Sequence, residues 1–242
     1  MSEKWLTGTV IENRPWTETL FSLRVEGAPL KYQAGQFVRI ALDINGERVA
    51  RAFSFVNPPQ DPVLEFYGVI VPEGPLSPRL AKLKSGDALH VAGNPAGFLV
   101  LSEVPDAETL WLISTGTGLA PFLSILRTET PWRRFRNVVL VHAVRHAREL
   151  TYQDLIRSTR ARYVTFVSRE QAAGSLAGRI PAAIADGRLE TAAGVRLAPE
   201  SSQVMLCGNP QMLKDAAAAL VARGLRKHRR RAPGHITVES FW

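Results

Sequence analysis

Residues 110–121 read LWLISTGTGLAP: an apolar, strand-like run that breaks at Ser114-Thr115-Gly116-Thr117-Gly118 and opens a helix at Leu119-Ala120-Pro121. Glycines in a strand-to-helix turn let backbone approach a pyrophosphate, and the helix start offers free N–H groups to it. Pro121 suits the first helical turn, where its missing donor costs nothing. It also stands where a full G-x-G-x-x-G fingerprint would place the third glycine. Taken alone, the turn fits both a nucleotide site and an ordinary strand-to-helix connection.

Downstream, VVLVHAV (138–144), YVTFVSR (163–169) and QVMLCG (203–208) are further continuous apolar runs, the pattern of strands buried on both faces. Helical stretches at 120–129, 151–160 and 210–224 lie between or after them. Strands alternating with helices predict a parallel, doubly wound α/β sheet. Upstream the rhythm differs. WLTGTVIE, TLFSLRVEG, GQFVRIAL, VARAFSFV, LEFYGVIV, ALHVAG and GFLVL are short runs separated by Gly, Pro, Asn and Asp, which predicts an antiparallel barrel. One helix is expected at LSPRLAKLKSGD, from Leu76, Leu80 and Leu83, with Gly86 as the stop. The polar stretch SEVPDAET divides the two rhythms, so the expected domains are residues 1–102 and 103–242.

Composition agrees with two small globular domains. The chain has 242 residues, 45% hydrophobic and 21% charged, and no apolar run reaches the ~20 residues of a membrane span. The N-terminal sequence lacks the apolar core of a signal peptide. The single cysteine, Cys207, cannot form an internal disulfide or hold an iron–sulfur cluster by itself. A cytoplasmic monomer without a metal site is expected. The five histidines show no metal-ligand spacing, and His142 and His146 leave a strand rather than share a helix face.

The net charge of +8 is concentrated in residues 101–242, because residues 1–100 hold ten basic and ten acidic side chains. Arg outnumbers Lys by 24 to 6. That ratio fits codon usage, and it also fits phosphate recognition, for which the guanidinium fork is suited. The asymmetry between halves predicts two domains with different ligands. The run RKHRRR (226–231) reads as a solvated face, as a nucleic-acid patch without interleaved aromatics, or as a docking surface for an acidic partner.

Four features occur in series: Arg51-Ala52-Phe53-Ser54, the Gly-Thr-Gly-Leu-Ala-Pro turn, Leu206-Cys207-Gly208-Asn209-Pro210 and the terminal Phe241-Trp242. Together they resemble the ferredoxin/flavodoxin–NADP+ reductase family over essentially the whole chain. The resemblance implies an FAD-binding barrel followed by an NADP-binding domain. It also implies electron transfer between NADPH and ferredoxin or flavodoxin, with hydride to flavin N5 and then single-electron release. An NAD(P)H:flavin reductase that frees reduced flavin is the alternative; the aromatic tail, which implies a retained FAD, argues against it. No nucleic acid or membrane partner is implied.

Carried over residue by residue, Arg51 would pair with the FAD phosphates, Ala52 and Phe53 would lie along the flavin, and Ser54 would bond near N5. Phe53 replaces the family's usual tyrosine, which keeps stacking and loses a phenolic hydrogen bond. Tyr67 and Pro75-Leu76-Ser77 match the segment holding the rest of the FAD. Trp242 would stack on the adenine and Phe241 would lie near the isoalloxazine. Thr117, counted with the FAD residues, and its glycines, Gly116 among them, would face the NADP pyrophosphate and the flavin edge. Val144, Arg145, Ser168, Arg169 and Arg179 fall at NADP positions, as do Gly208, Asn209, Pro210 and Asp215. Cys207 would shape the hydride-transfer site without acting as a nucleophile, and Glu239 would serve as a proton conduit.

Overall fold

The computed structural model describes residues 4–240. Six strands come first: β1 (Trp5–Pro15), β2 (Leu20–Glu26), β3 (Phe37–Ile44), β4 (Glu47–Ser54), β5 (Leu64–Val69) and β6 (Ala88–Ala92). They form one antiparallel sheet in the order β4-β3-β6-β1-β2-β5. The sheet curls until the chain beyond β4 meets β5, through a Phe55–Phe66 bridge and a 2.8 Å bond from the Val56 N–H to the Glu65 carbonyl. Val10, Leu23, Ile40, Phe55, Phe66 and Leu89 fill the interior. β2 shows why the sequence settles there. Leu23 and Val25 point inward and Arg24 and Glu26 outward, whereas Leu20, Phe21 and Ser22 are all buried. That end of β2 lies between the barrel core and the second sheet.

Two sequence expectations are corrected here. GFLVL (97–101) is not a strand. After a single bridge from Ala96 to Phe37, Gly97 adopts φ +107°, and the chain turns into a 3-10 turn at Leu101–Glu103. Leu99 and Leu101 plug the core between the sheets, so their apolarity reflects burial and not pairing. The helix expected over 76–83 is one turn, α1 (Ser77–Leu80). Asn13 Nδ2 donates to the carbonyls of Leu80 (3.2 Å) and Leu83 (2.7 Å), which a longer helix would use itself.

The second half begins with β7 (Thr109–Thr115), whose 3-10 turn Gly116–Leu119 runs into α2 (Ala120–Leu126). There follow α3 (Thr130–Arg134), β8 (Asn137–Val144), α4 (Gln153–Arg157), β9 (Arg162–Val167), β10 (Leu176–Ala177), α5 (Ile180–Ala185), α6 (Arg188–Ala193), β11 (Ser202–Gly208), α7 (Pro210–Ala222) and β12 (Ile236–Ser240). These strands form a parallel sheet in the order β10-β9-β8-β7-β11-β12. Helix α4 covers only half of the stretch expected at 151–160, and α5 and α6 had no counterpart in the sequence reading. Because β8 and β11 flank β7, the winding reverses at β7, which opens a crevice at the carboxyl ends of these strands.

A buried polar seam joins the two sheets. Ser124 of α2 donates to the Asn57 carbonyl at 2.7 Å, and Asn57 Oδ1 accepts the Glu65 N–H at 2.8 Å. Arg127 reaches Asp61 and Glu65, both at 3.5 Å. Thr151 donates to the Tyr67 hydroxyl and Tyr152 to Glu65 Oε1, each at 2.9 Å. Tyr152 does so from φ +55°, a conformation costing about 1–2 kcal/mol for a residue with a Cβ. Its ring packs on Trp16 at 4.7 Å and edge-on to Tyr67 at 5.3 Å.

Gly118 shows how closely the second domain is packed around its turn. A Cβ there would lie 2.6 Å from the Cys207 carbonyl oxygen and 2.8 Å from Gly208 Cα, both backbone atoms that cannot rotate away. Gly118→Ala is therefore expected to destabilise the protein by about 1–3 kcal/mol, read as a lowered midpoint in urea unfolding.

Candidate functional site

The crevice at the strand ends is a cleft of about 680 Å³. Its floor is the Thr115–Gly118 turn after β7 and Gly208-Asn209 after β11. Val144-Arg145, Ser168-Arg169, Arg179 and Asp215 line the same space. The cleft thus brings together every residue assigned from sequence to the NADP side except Pro210, the first residue of α7.

Local structure explains the convergence. Gly116 holds φ +53°, and nothing lies within 4 Å of where its Cβ would be, so the turn leaves open space above its backbone. Gly208, at φ +135°, lacks a side chain where Thr115 Oγ1 passes, and that hydroxyl accepts the Asn209 N–H at 3.0 Å. Asn209 Oδ1 caps α7 by accepting the N–H groups of Gln211 (3.0 Å) and Met212 (3.2 Å).

The arginines are held by their backbones and not by their heads. Beyond the ends of β8 and β9 the strand pairing continues, with Ser168 N–H to the Val144 carbonyl (3.1 Å) and Arg169 N–H to the Arg145 carbonyl (3.0 Å). Glu149 accepts the N–H groups of Arg145 (2.9 Å) and His146 (3.2 Å). Glu170 accepts the Ala147 N–H at 2.6 Å and meets His146 Nδ1 at 3.2 Å. These two carboxylates are spent on the loop, and among the described residues none of Arg145, Arg169 and Arg179 carries an ion pair. Three unneutralised guanidinium groups around one cleft favour a polyanion.

Thr117 apart, the described residues assigned to FAD lie outside this cleft. Arg51 and Ala52 are exposed on β4, and Arg51 Nη1 folds back onto the Ala50 carbonyl at 2.8 Å. Phe53 sits edge-on to Phe66 at 6.4 Å, over Gly68, where a Cβ would come within 3.0 Å of its ring. Tyr67 is buried in the seam, with its hydroxyl held by Thr151. Pro75 is exposed, Leu76 is core, and Ser77 Oγ accepts the Val71 N–H at 2.9 Å. Phe241 and Trp242 lie outside the described residues.

An orphaned polar pair tests whether these residues fit a flavin. Ser54 Oγ and Glu239 Oε1 are buried, and neither has a hydrogen-bond partner among the described residues. Phe37 neighbours both. A Cβ on Gly97 would lie 2.9 Å from Glu239 Oε2 and 3.0 Å from the Phe37 ring, and Phe37 faces Ser54 across β3 and β4. Leaving such groups unpaired costs about 1–3 kcal/mol each. A hydroxyl and a carboxyl waiting at one edge match a planar heterocycle with donors and acceptors along its rim. Burial also pushes the Glu239 carboxyl up to about 7, so it holds its proton close to neutrality. Cys207, opposite Glu239 on β11, is fully buried, and burial together with the Glu239 charge raises its thiol well above the ordinary range. It is a packing group and not a thiolate nucleophile.

Several lining residues had no signal in the sequence. Thr19, Leu20 and Val69–Pro72 border the cleft from the barrel side, and Glu149, Gln211 and Met212 from the second domain. The barrel residues reach the cleft only because the seam brings β2 and β5 against the second sheet.

The turn also rests on a buried histidine. His142 Nε2 lies 3.1 Å from the Gly116 carbonyl, and burial pushes the ring from 6.5 down to about 4. A depressed folded pKa means that the unfolded chain binds the proton more readily. The contribution is therefore complete above pH 6.5 and lost as pH falls toward 4. Glu239, raised from 4.5, has the opposite slope over much of this range, so a comparison with His142→Gln isolates the effect. Between pH 6.5 and 4, wild type is expected to lose on the order of 3 kcal/mol of unfolding free energy relative to that variant.

Residues 13–99 match the oxidoreductase FAD-binding domain family, and residues 112–218 match the oxidoreductase NAD-binding domain family. The chain is 53% identical to a flavodoxin/ferredoxin–NADP reductase of Shigella flexneri and 52% identical to that of Escherichia coli K12, each across 98% of this chain and 99% of the relative. A ferredoxin NADP+ reductase from Neisseria gonorrhoeae, solved with bound FAD and NADP, superposes with a TM-score of 0.95 at 32% identity, over 99% of both chains. Two halves that match an FAD-binding and an NAD-binding domain, in the order and at the spacing of these relatives, place the chain in the flavodoxin/ferredoxin–NADP reductase family.

Proposed function

We propose that this chain is a flavoprotein oxidoreductase that moves electrons between NADPH and ferredoxin or flavodoxin. The observation that carries this reading is the juxtaposition of two unlike sites. One is a buried edge where Ser54 and Glu239 lack partners; the other is a cationic cleft built on the glycine turn. The division near residue 102 assigns one site's strands to the barrel and the other's to the parallel sheet. Glu239 is the exception, because β12 returns to the barrel from the far edge of the second sheet.

In this reading Arg51, Phe53, Ser54, Tyr67 and the Pro75–Ser77 turn hold FAD. Bound FAD supplies the exchange between two-electron hydride chemistry and one-electron transfer. Ser54 offers a hydroxyl that donates or accepts at the flavin edge. Glu239 keeps a proton available there at neutral pH. Gly116 and Thr117 bring backbone N–H groups to the pyrophosphate, and Arg145, Arg169 and Arg179 take the 2′-phosphate. Cys207 packs beneath the floor, against Gly118, as an unreactive buried group.

A second surface supports the choice of partner. Phe98 is 63% exposed, next to Gly97 and hence beside the Ser54–Glu239 edge. Arg230 lies 4.2 Å over its ring and is fixed by Glu103 at 2.6 and 3.0 Å. Arg226, Lys227, Arg229 and Arg231 lie exposed in the same stretch of chain, without ion pairs among the described residues. An apolar contact beside free cations suits an acidic carrier protein, because fields of opposite sign steer and orient such partners. The chain has no helix among the described residues long and apolar enough to cross a membrane. A monomer in the cytoplasm fits this reading.

The purified protein is expected to be yellow, with about one non-covalent FAD per chain, and to reduce both carriers with NADPH. Arg169→Ala should raise KM for NADPH about tenfold and leave KM for NADH nearly unchanged. A colourless protein that takes up no FAD in titration would overturn the reading.

Charge reversal at Arg229 and Arg231 is expected to slow reduction of the carrier about tenfold or more at low ionic strength. The difference should shrink as salt is added, and NADPH-dependent ferricyanide reduction should stay unchanged.

A further inference from the structure

His142 is a buried titratable group that the reading above gives no part in binding coenzyme. It faces Ser114 on β7 and Thr165 on β9, in a rung that continues through Cys207 to Glu239. A buried imidazole needs partners for its nitrogens. Nε2 lies 3.1 Å from the Gly116 carbonyl oxygen, and a carbonyl only accepts, so Nε2 carries the proton. Nδ1 is then the acceptor, and the Tyr163 hydroxyl, 3.5 Å away, is its donor. Burial keeps the ring neutral at working pH, as this tautomer requires.

The consequence follows from peptide geometry. The Gly116 carbonyl and the Thr117 N–H belong to one planar trans peptide and point in opposite directions. With the carbonyl drawn inward to His142, the Thr117 N–H is turned away from the sheet. Gly116 and Thr117 line the cleft, and the first N–H groups of a helical run have no intrahelical acceptor. The absence of any atom near the Gly116 Cβ position leaves the approach open.

We propose that His142 is a positioning residue. Its bond to the Gly116 carbonyl aims the Thr117 N–H at the coenzyme pyrophosphate, and Tyr163 fixes the tautomer that makes the bond. This rests on the cleft binding NADP, and it deepens that reading by giving pyrophosphate recognition its own support, independent of the arginines that meet the 2′-phosphate.

The test titrates the FAD-loaded enzyme with NADP+ and with adenosine 2′-monophosphate, which has no pyrophosphate. His142→Leu should weaken NADP+ binding about tenfold and leave adenosine 2′-monophosphate within about twofold. KM for NADPH should rise while kcat with ferricyanide and FAD content hold. His142→Gln, whose amide places a donor at similar reach, should restore most of the affinity, and Tyr163→Phe should weaken NADP+ about threefold. The proposal is overturned if His142→Leu binds NADP+ as wild type does, if it loses both ligands equally, or if the glutamine variant does no better. Should the leucine variant fail to fold, Tyr163→Phe decides: selective weakening of NADP+ supports the proposal, and unchanged affinity overturns it. A wild type that binds neither ligand would instead overturn the assignment of the cleft itself.

Discussion

The polar seam between the sheets is the constraint on which the rest of the molecule depends. Glu65 and Asn57 of the barrel and Ser124, Arg127 and Tyr152 of the second domain satisfy one another directly. Burial raises the Glu65 carboxyl, while the Tyr152 hydroxyl and Arg127 oppose that rise. Such a network is costly when half made and rigid when complete. Tyr152 accepts a left-handed backbone to complete it. Because the seam holds β2 and β5 against the parallel sheet, Thr19, Leu20 and Val69–Pro72 can border a cleft whose floor belongs to the other domain.

The two halves were legible in the sequence because their patterns differ in kind. Six of the seven barrel runs are strands, and LWLIS, VVLVHAV, YVTFVSR and QVMLCG all became central strands of the parallel sheet. GFLVL misled because apolarity reports burial, and Leu99 and Leu101 are buried as a plug between two cores. The 76–83 stretch misled because Asn13, far away in sequence, takes the carbonyls that would have extended the helix. The short helices α5 and α6 span six residues each, too few for a periodic signal. At the site, the glycine turn and the arginines could be found because each follows a strand end. The barrel rim and the carboxylates bracing the arginine loops could not, since only tertiary packing puts them there.

The electrostatics divide along the same line as the fold. At the barrel edge, Ser54 and Glu239 bring buried polar atoms without partners among the described residues, as suits an uncharged ring system held by stacking and hydrogen bonds. On the parallel side, the cleft gathers guanidinium groups without ion pairs among the described residues, and the acids near them, Glu149 and Glu170, are turned onto backbone N–H groups. Those contacts hold Glu170 below the usual carboxylate range, with the Ala147 N–H the main cause. The acids therefore shape the loops without neutralising the charge the loops present.

That arrangement separates the frame from what it displays. The loops carrying Arg145 and Arg169 are joined main chain to main chain, by the Ser168–Val144 and Arg169–Arg145 bonds, and among the described residues neither of those two guanidinium groups carries an ion pair. Replacing either side chain leaves the scaffold's own bonds intact. If these arginines meet the coenzyme as proposed, its preference is a swappable attribute: selection, or a designer, can retune it at two or three positions while the core, the seam and the Ser54–Glu239 edge stay as they are.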